Sequence, residues 1–293
     1  MRAALATVRT WGTLVKFSHS VFALPFAFVG AALAAVGHPV TLRQVVWIAV
    51  AMVGARNAAM GFNRLADHAI DARNPRTAGR ELPAGRLTRA AVWTATLLLT
   101  VIFVGASFAL NPLCGALSPL ALLIVFGYSY TKRFTWGSHF VLGLSLAIAP
   151  VGAWVAVRGS FAGPDAFVPW LLAACVLLWV AGFDVVYACQ DVDFDRAQGL
   201  HSVPARLGIP RALLLARTLH GGAVAAMAGV GLAAGLGGVY WVGLLGIAGL
   251  LAWEHRLLRP GDLSRLGLAF FNLNGIVSVA YLGLVLASLW SAR

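Results

Sequence analysis

The chain has 293 residues, of which 60% are hydrophobic and only 11% are charged, and its mean hydropathy is +0.84. Soluble domains carry about 25% charged residues, so this composition excludes an ordinary soluble protein and predicts an all-α membrane protein. No polar stretch is long enough to bury its own core, so residues 1–293 are predicted to form a single integral membrane domain. The formal net charge is +12. Basic loops on one side of a membrane explain this charge better than nucleic-acid binding, because the chain has no basic and aromatic module for that purpose.

Apolar stretches that are long enough to cross a bilayer occur about nine times along the chain. A crossing needs about 20 apolar residues, and helix-breaking residues in the connections help to set the ends of each segment. Residues 1–36 resemble a signal peptide, but many apolar stretches follow, so the first is predicted to be an uncleaved helix. The predicted spans are 20–36, 43–65, 90–109, 113–130, 138–157, 167–188, 211–234, 239–257 and 268–289.

The distribution of basic residues predicts the orientation of these spans. Most of the 22 Lys and Arg residues fall on the side that holds the N-terminus. The opposite side holds only Arg43, Arg158 and Arg293. Because Lys and Arg accumulate in cytoplasmic loops, the sequence predicts a multi-pass protein of the cell (inner) membrane. Its N-terminus and the loops that carry the polar motifs are predicted to be cytoplasmic.

The second predicted span runs into a polar segment, residues 63–87, that is unusual for such an apolar chain. Asn63, Asp67 and Asp71 are spaced four residues apart, which places them along one face of a helix. Ionisable residues at membrane depth mark functional sites by default. Two carboxylates one turn apart repel each other unless a cation lies between them. Oxygen ligands of this kind suit Mg²⁺, which binds through one or two carboxylates together with substrate phosphates.

A second acidic segment, residues 182–196, follows the sixth predicted span. Asp184, Asp191 and Asp195 again lie near one helical face. In the nine-span topology this segment is on the same membrane side as Asp67 and Asp71, so the two acidic helix ends can face each other. That arrangement would allow two Mg²⁺ ions to bind one shared pyrophosphate. The two segments also look like divergent copies of one unit.

A third polar patch, residues 128–135, follows the fourth predicted span. Tyr128 and Lys132 are one helical turn apart, and Lys132 and Arg133 suit a pyrophosphate or an aromatic carboxylate. An ordinary positive flank of a membrane span is the alternative for Arg133. The cysteines and histidines lack the spacings of zinc sites or disulfide frameworks.

These segments together resemble the UbiA superfamily of intramembrane prenyltransferases. The resemblance covers residues 16–278 and is carried by KFSHSVFALPFAF at residues 16–28, by N-x-x-x-D-x-x-x-D from Asn63, and by the NPRTAGRELPAG that follows it. It continues with Y-x-x-x-K from Tyr128 and D-x-x-x-D from Asp191. It implies nine transmembrane helices around a central cavity, and Mg²⁺-dependent transfer of a polyprenyl group from a polyprenyl diphosphate to an acceptor.

The resemblance also implies a role for each matching residue. It implies that Mg²⁺ and the diphosphate are held by Asn63, Asp67, Asp71, Asp191 and Asp195. It implies contacts with the diphosphate for Arg64, Arg80, Tyr128 and Lys132. It implies that Arg133 holds the carboxylate of an aromatic acid, and that Asp184 lies one to two turns deeper in the cavity on the acceptor side.

The same segments are most similar to the branch of this family that prenylates 4-hydroxybenzoate in ubiquinone biosynthesis. That branch includes relatives that prenylate 1,4-dihydroxy-6-naphthoate in a menaquinone route. Both acceptors are aromatic carboxylic acids with a ring hydroxyl, so the motifs do not separate them.

Two other classes of protein remain as alternatives. A secondary transporter would also place Asp residues in the membrane, but its ion sites lie near the bilayer midplane at broken helices. Here the acids cluster at the ends of spans among many arginines. A CDP-alcohol phosphotransferase would need a D-G-x-x-A-R motif, which this chain lacks.

Overall fold

The computed structural model describes residue 14, residues 20–267 and residues 272–291. Lys16 and the start of the KFSHSVFALPFAF segment lie outside these residues. Within the described ranges the protein forms α-helices joined by loops and one 3₁₀ turn. The helices are α1 (Ser20–Ala34), α2 (Leu42–Ala66), α3 (His68–Arg73), α4 (Arg89–Leu110), α5 (Pro112–Thr131), α6 (Ser138–Arg158), α7 (Val168–Ala188), α8 (Val192–Ala197), α9 (Val203–Leu207), α10 (Ile209–Ala233), α11 (Gly238–Leu257) and α12 (Asn274–Ser291).

Local sequence signals explain where several helices begin and end. Thr41 and Gln44 form a capping box at the start of α2, in which each side chain bonds to the backbone N–H of the other residue. The Thr88 hydroxyl caps α4 by accepting the N–H of Ala91 at 3.2 Å. Gly159, with φ of 69°, ends α6 in the left-handed conformation that glycine adopts without steric cost.

Seven of the helices within the described residues are long and apolar enough to cross a membrane. They are α2, α4, α5, α6, α7 with its extension to Ala197, α10 and α12. On the surface of α4, for example, the apolar side chains of four residues are exposed: Leu97, Leu98, Val101 and Ile102. Exposed apolar rows of this kind suit a hydrocarbon solvent. The all-α membrane fold predicted from the sequence is therefore confirmed.

The predicted count of nine crossings is not confirmed by the structure. The first predicted span, 20–36, corresponds to α1, which has 15 residues. The eighth, 239–257, corresponds to α11, which ends in the polar residues Glu254, His255 and Arg256. Both segments are helical, but neither belongs to the seven long apolar helices, so nine crossings remain a prediction.

Close approaches between backbones hold the central helices together. α6 packs against both α1 and α7, and α7 packs against α10 on its other side. A Cβ atom at Gly30 would overlap the carbonyl group of Pro150, and one at Gly143 would overlap that of Leu177. Glycine is therefore required at these crossings of α1 with α6 and of α6 with α7, as is typical of helix packing in lipid.

Candidate active site

The first acidic segment lies where α2 is interrupted. α2 ends at Ala66, Asp67 has φ of −92° and ψ of 5°, and α3 begins at the next residue. The backbone N–H of Asp67 still bonds to Asn63 at 2.9 Å, and that of Asp71 bonds to Asp67 at 2.8 Å. The predicted spacing of one turn between the three polar side chains is therefore kept across the break.

Asp67 connects the first acidic segment to the third polar patch. Its carboxylate accepts a hydrogen bond from Asn63 Nδ2 at 3.1 Å, and it lies 3.6 Å from Lys132 Nζ and 3.3 Å from Arg133 Nη2. Arg133 also donates to the carbonyl of Ala66 at 2.5 Å. Asp67 is only 4% exposed, so a buried carboxylate is stabilised here by two cations from a distant part of the chain.

Asp71 is bound by the loop that follows α3. Both of its carboxylate oxygens lie 2.8 Å from Arg80 Nη1, and its backbone carbonyl accepts the Thr77 hydroxyl at 3.0 Å. Asp71 is as deeply buried as Asp67. Because a buried carboxylate is costly without a partner, Arg80 fixes the position of Asp71 in this structure.

The same loop reaches across to the second acidic segment. Asn74 Nδ2 donates to Asp191 Oδ1 at 3.1 Å, and the Arg76 guanidinium makes a forked pair with both Asp191 oxygens at 2.9 and 2.5 Å. Arg76 also donates to the Tyr187 hydroxyl at 3.0 Å. Burial opposes the charged form of Arg76, but its bond to Asp191 and the nearby Tyr187 and Asp71 raise the pKa of its guanidinium above the ordinary value.

The second acidic segment repeats the helix interruption of the first. α7 passes through a 3₁₀ turn, Cys189–Asp191, into α8, and Asp191 has φ of −107° and ψ of 8°. Asp195 is buried and hydrogen-bonded to Ser202, whereas Asp193 is exposed. The loop beyond it is tied to the third patch, because His201 N–H donates to the Lys132 carbonyl at 2.7 Å. All three polar segments predicted from the sequence therefore meet at one end of the helices.

An elongated cavity of about 380 Å³ begins beside these residues. Asn63, Arg64, Arg80 and Tyr128 line its polar end. Its remaining walls are mostly apolar and come from α2, α4, α5, α6 and α7. Arg64 is 5% exposed, and its Nε has no hydrogen-bond partner among the residues that the structure describes. A buried guanidinium with an unsatisfied donor indicates space for an anionic group.

Asp184 lines the same cavity, seven residues before Asp191. Its Oδ2 lies 2.7 Å from Nδ1 of His139, a residue that is 3% exposed. The backbone N–H of Val203 donates to the other ring nitrogen, Nε2, at 3.2 Å. Since Nε2 is an acceptor, the ring hydrogen lies on Nδ1 and points at Asp184. His139 therefore orients this carboxylate.

Three residues of the site were missed by the sequence analysis as individual participants. Asn74 and Arg76 belong to the NPRTAGR segment that carried the resemblance, so their position in that motif was the available signal. His139 is an isolated histidine in an apolar helix, and no spacing in the sequence distinguishes it. Only the packing of α6 against α7 brings it to Asp184.

The residues at this end fit a hard divalent cation in chemical terms. The donors are carboxylate and amide oxygens of Asp67, Asp71, Asp191, Asp195 and Asn63, which Mg²⁺ prefers. Among the described residues no three acidic, His or Cys side chains form a ready-made metal cluster. The carboxylates of Asp67, Asp71 and Asp191 are instead paired with Lys132, Arg80 and Arg76. Binding of a cation by these carboxylates would require Lys132, Arg80 and Arg76 to move away from them.

The features described so far define a multi-pass α-helical membrane protein. Its polar site is rich in carboxylates and arginines and lies at one end of an apolar cavity. The model of the UbiA prenyltransferase family matches residues 23–276. The chain belongs to that family and is a prenyltransferase, which confirms the resemblance found in the sequence and favours an enzyme over a transporter.

Individual relatives support the same assignment. The chain is 32% identical over 231 residues to a 4-hydroxybenzoate octaprenyltransferase from Aeromonas salmonicida, covering 79% of this chain and 78% of that protein. It is 33% identical over 235 residues to the enzyme of the same name from Saccharophagus degradans, covering 80% of this chain and 77% of the relative.

Solved structures share the fold. A UbiA homolog from Aeropyrum pernix, determined in its apo form, superposes with a TM-score of 0.80 at 34% identity and covers 94% of this chain and 98% of its own. A UbiA homolog from Archaeoglobus fulgidus bound to DMAPP and Mg²⁺ has a TM-score of 0.74 at 18% identity, with coverages of 96% and 99%. At that identity the second likeness shows the fold alone.

Proposed function

We propose that this protein transfers a polyprenyl group from a polyprenyl diphosphate to a ring carbon of an aromatic acid of the 4-hydroxybenzoate type. The observation that carries the proposal is the meeting of three polar segments at the end of an apolar cavity. Asp67 contacts Lys132 and Arg133, and Asp191 contacts Arg76, so groups for a diphosphate and for a carboxylate lie together. The names of the relatives from Aeromonas and Saccharophagus support the same acceptor class.

The polar end of the cavity suits the diphosphate. Arg64 and Arg80 line it, and Lys132 lies beside Asp67. When bound, Mg²⁺ would be held by Asn63, Asp67, Asp71, Asp191 and Asp195, and would supply positive charge beside the leaving diphosphate. The arginines and Lys132 stabilise the same developing negative charge, which lowers the barrier to cleavage of the C–O bond.

The apolar part of the cavity suits the prenyl chain. Side chains such as Ile48, Met52 and Leu117 line it, and they offer no hydrogen bond to water. When the allylic C–O bond breaks, its electron pair leaves with the diphosphate and a delocalised allylic cation remains. A dry cavity protects this cation from hydrolysis until the acceptor ring attacks it.

The aromatic acid requires a cationic partner for its carboxylate and a base that takes up its ring proton. Arg133 is partly exposed beside Asp67 and can bind the carboxylate of the aromatic acid. A ring carbon ortho to the phenol forms the new C–C bond with the allylic cation. The hydrogen on that carbon then leaves as a proton, which Asp184 accepts, and its C–H electron pair restores the aromatic ring. His139 holds Asp184 in place through its Nδ1–H.

We also propose that this site faces the cytoplasm. The distribution of Lys and Arg residues supports this orientation. Labelling of single cysteines with a membrane-impermeant reagent tests this orientation. The cysteine of an Arg86→Cys variant, at an exposed position, should react only after the membrane has been permeabilised. Reaction of the Arg86→Cys variant in intact cells would contradict the cytoplasmic orientation.

The test of the acceptor uses purified protein with Mg²⁺ and a radiolabelled polyprenyl diphosphate. 4-Hydroxybenzoate and 1,4-dihydroxy-6-naphthoate are offered in parallel, and the lipid-soluble product is counted. We expect product from the benzoate. Product from the naphthoate alone would move the enzyme to the menaquinone route, and product from neither acceptor would overturn the assignment to aromatic acids.

A further inference from the structure

A second concave surface, separate from the active-site cavity, lies between α10 and α11. It is an open groove of about 820 Å³, lined by residues of these two helices and of the segment that follows α11. α10 packs extensively against α7 and much less against α11, which leaves this space between the helices. Gly221 lines the groove, and a Cβ atom there would meet no other atom of the described residues within 4 Å. The groove is therefore a true opening in the helix packing.

One end of this groove is strongly basic. Arg217, Arg256 and Arg259 line it and are exposed. Within the part of the chain that the structure describes, no acidic side chain lines it. The nearby acids are engaged elsewhere. The hydrogen bonds between Asp262 and Arg259 join backbone atoms, and the Asp262 carboxylate accepts the Ser264 N–H at 2.9 Å. Among the described residues this carboxylate forms no ion pair within 4.0 Å with Arg259, although it lies close enough to interact with it electrostatically.

The other acid of this region also faces away from the groove. Glu254 is fully buried on the opposite side of α11, where its Oε1 accepts a hydrogen bond from Asn274 Nδ2 at 3.3 Å. The groove therefore carries an excess of positive charge that no neighbouring carboxylate neutralises through a side-chain contact.

Apart from His220 and His255, whose ring nitrogens lie 3.0 Å apart, the rest of the groove is apolar. Val224, Ala248, Leu251 and Ala252 line it along the two helices, so a charged end continues into a hydrocarbon-compatible surface. α10 begins at the membrane face where α7 ends and where Asp191 lies, and α11 returns to that face. Arg217, near the start of α10, and Arg256, in the last turn of α11, therefore lie at the same membrane face as the active site.

We propose that this groove binds an anionic phospholipid, with the headgroup phosphate on the arginines and an acyl chain along the apolar floor. Basic pockets between membrane helices recognise anionic headgroups in this way, and arginine pairs with phosphate in a forked geometry. The arginines attract a negative charge, and the apolar lining accepts a hydrocarbon chain. The groove therefore favours an amphiphilic anion over a neutral lipid.

Two simpler roles for these arginines must be separated from lipid binding. Arg217 Nη2 lies 3.4 Å from the His255 carbonyl, so it also satisfies the C-terminal end of α11. Arginines near helix ends also set membrane orientation. Neither role requires that the arginines act together, and neither depends on the empty space beside Gly221.

The experiment measures retention of lipid by purified full-length protein with native mass spectrometry. Phosphatidylglycerol and phosphatidylcholine with the same acyl chains are titrated in detergent. The Arg217→Gln/Arg256→Gln double variant is compared with Arg211→Gln/Arg265→Gln, which removes the same charge from exposed arginines that do not line the groove. We expect phosphatidylglycerol affinity to fall on the order of tenfold only in the first variant. Equal retention by both variants would overturn the proposal.

A second pair of variants tests the apolar floor without a change of charge. Gly221→Leu fills the groove, whereas Gly246→Leu adds the same side chain to an open position on α11 that does not line it. Gly221→Leu alone should reduce phosphatidylglycerol retention. Inorganic phosphate is the remaining probe: it should not displace the lipid at matched concentration. Displacement by phosphate would show that the groove takes a free anion and not a phospholipid. An unaltered phosphatidylglycerol affinity in Gly221→Leu would show that no acyl chain lies along the apolar floor, and it would overturn the proposal as well.

Discussion

The two acidic segments share a backbone design but differ in what surrounds their carboxylates. In both, a long helix is interrupted at the first Asp of D-x-x-x-D, with ψ close to zero at Asp67 and at Asp191. The side chain of Asp67 is 5% exposed and that of Asp191 is 16% exposed. Their cationic partners Lys132, Arg133 and Arg76 are about equally exposed, at 36%, 37% and 32%. The two segments therefore differ in how deeply the first carboxylate is buried and not in the exposure of its cation.

The residues that precede the D-x-x-x-D motif also differ between the two segments. Four residues before the first Asp, the first segment has Asn63 and the second has Tyr187. Seven residues before it, the first has Met60 and the second has Asp184. The first segment thus has an additional amide group beside its carboxylates, and the second has an additional carboxylate that lines the cavity. We infer that the first segment serves binding of the diphosphate and that the second adds proton transfer.

The largest effect is expected from removal of Mg²⁺, which both acidic segments are proposed to bind. Chelation with EDTA should abolish prenyl transfer, because the charge on the leaving diphosphate is then not neutralised. Addition of excess Mg²⁺ should restore the rate, as measured by formation of lipid-soluble product. Full activity in EDTA would mean that the arginine and lysine side chains alone support the reaction.

Asp67→Asn and Asp191→Asn test whether the two segments are equally necessary. Each substitution removes a negative charge from the proposed Mg²⁺–diphosphate site, and each should lower kcat by about a hundredfold or more. Asp193→Asn is the matched control, since Asp193 is exposed on the same segment as Asp191, and it should retain full activity. Circular dichroism should show the helical content of all three unchanged. If either Asp variant kept normal turnover, the equivalence of the two segments would fail.

Asp184→Asn tests the feature that only the second segment has. Loss of the proton acceptor should lower kcat by about a hundredfold, while binding of the diphosphate, measured by isothermal titration, stays the same. His139 should act through Asp184: His139→Leu should lower kcat with little change in KM. His139→Asn, which keeps a donor near the position of Nδ1, should recover part of the rate. Weaker diphosphate binding in Asp184→Asn would move this residue to the anion site.

Arg133→Ala is expected to have the smallest effect, because it concerns one contact with one substrate. Loss of a charge-assisted bond to the acceptor carboxylate should raise the KM for the aromatic acid by roughly tenfold or more, with an unchanged KM for the polyprenyl diphosphate. Arg86→Ala, which removes an exposed arginine paired with Glu81 at 3.5 Å, serves as the control. A raised KM for the diphosphate instead would assign Arg133 to the leaving group.

The sequence by itself predicted the features that depend on local pattern. Hydropathy identified the long helices, since each must cover its own backbone polar groups in lipid. The spacing of Asn63, Asp67 and Asp71 placed them on one face because a helix repeats every 3.6 residues. The order of the motifs around Asp67 and Asp191 was sufficient to indicate the family.

The tertiary structure decided which distant residues meet. Asn74 and Arg76 bind Asp191 more than 110 positions away, and His139 reaches Asp184 only because α6 packs against α7. The groove between α10 and α11 likewise exists because α10 packs mainly on α7. These contacts depend on how helices approach one another, and that approach is set by close packing at positions such as Gly143, where a side chain would collide with the neighbouring backbone.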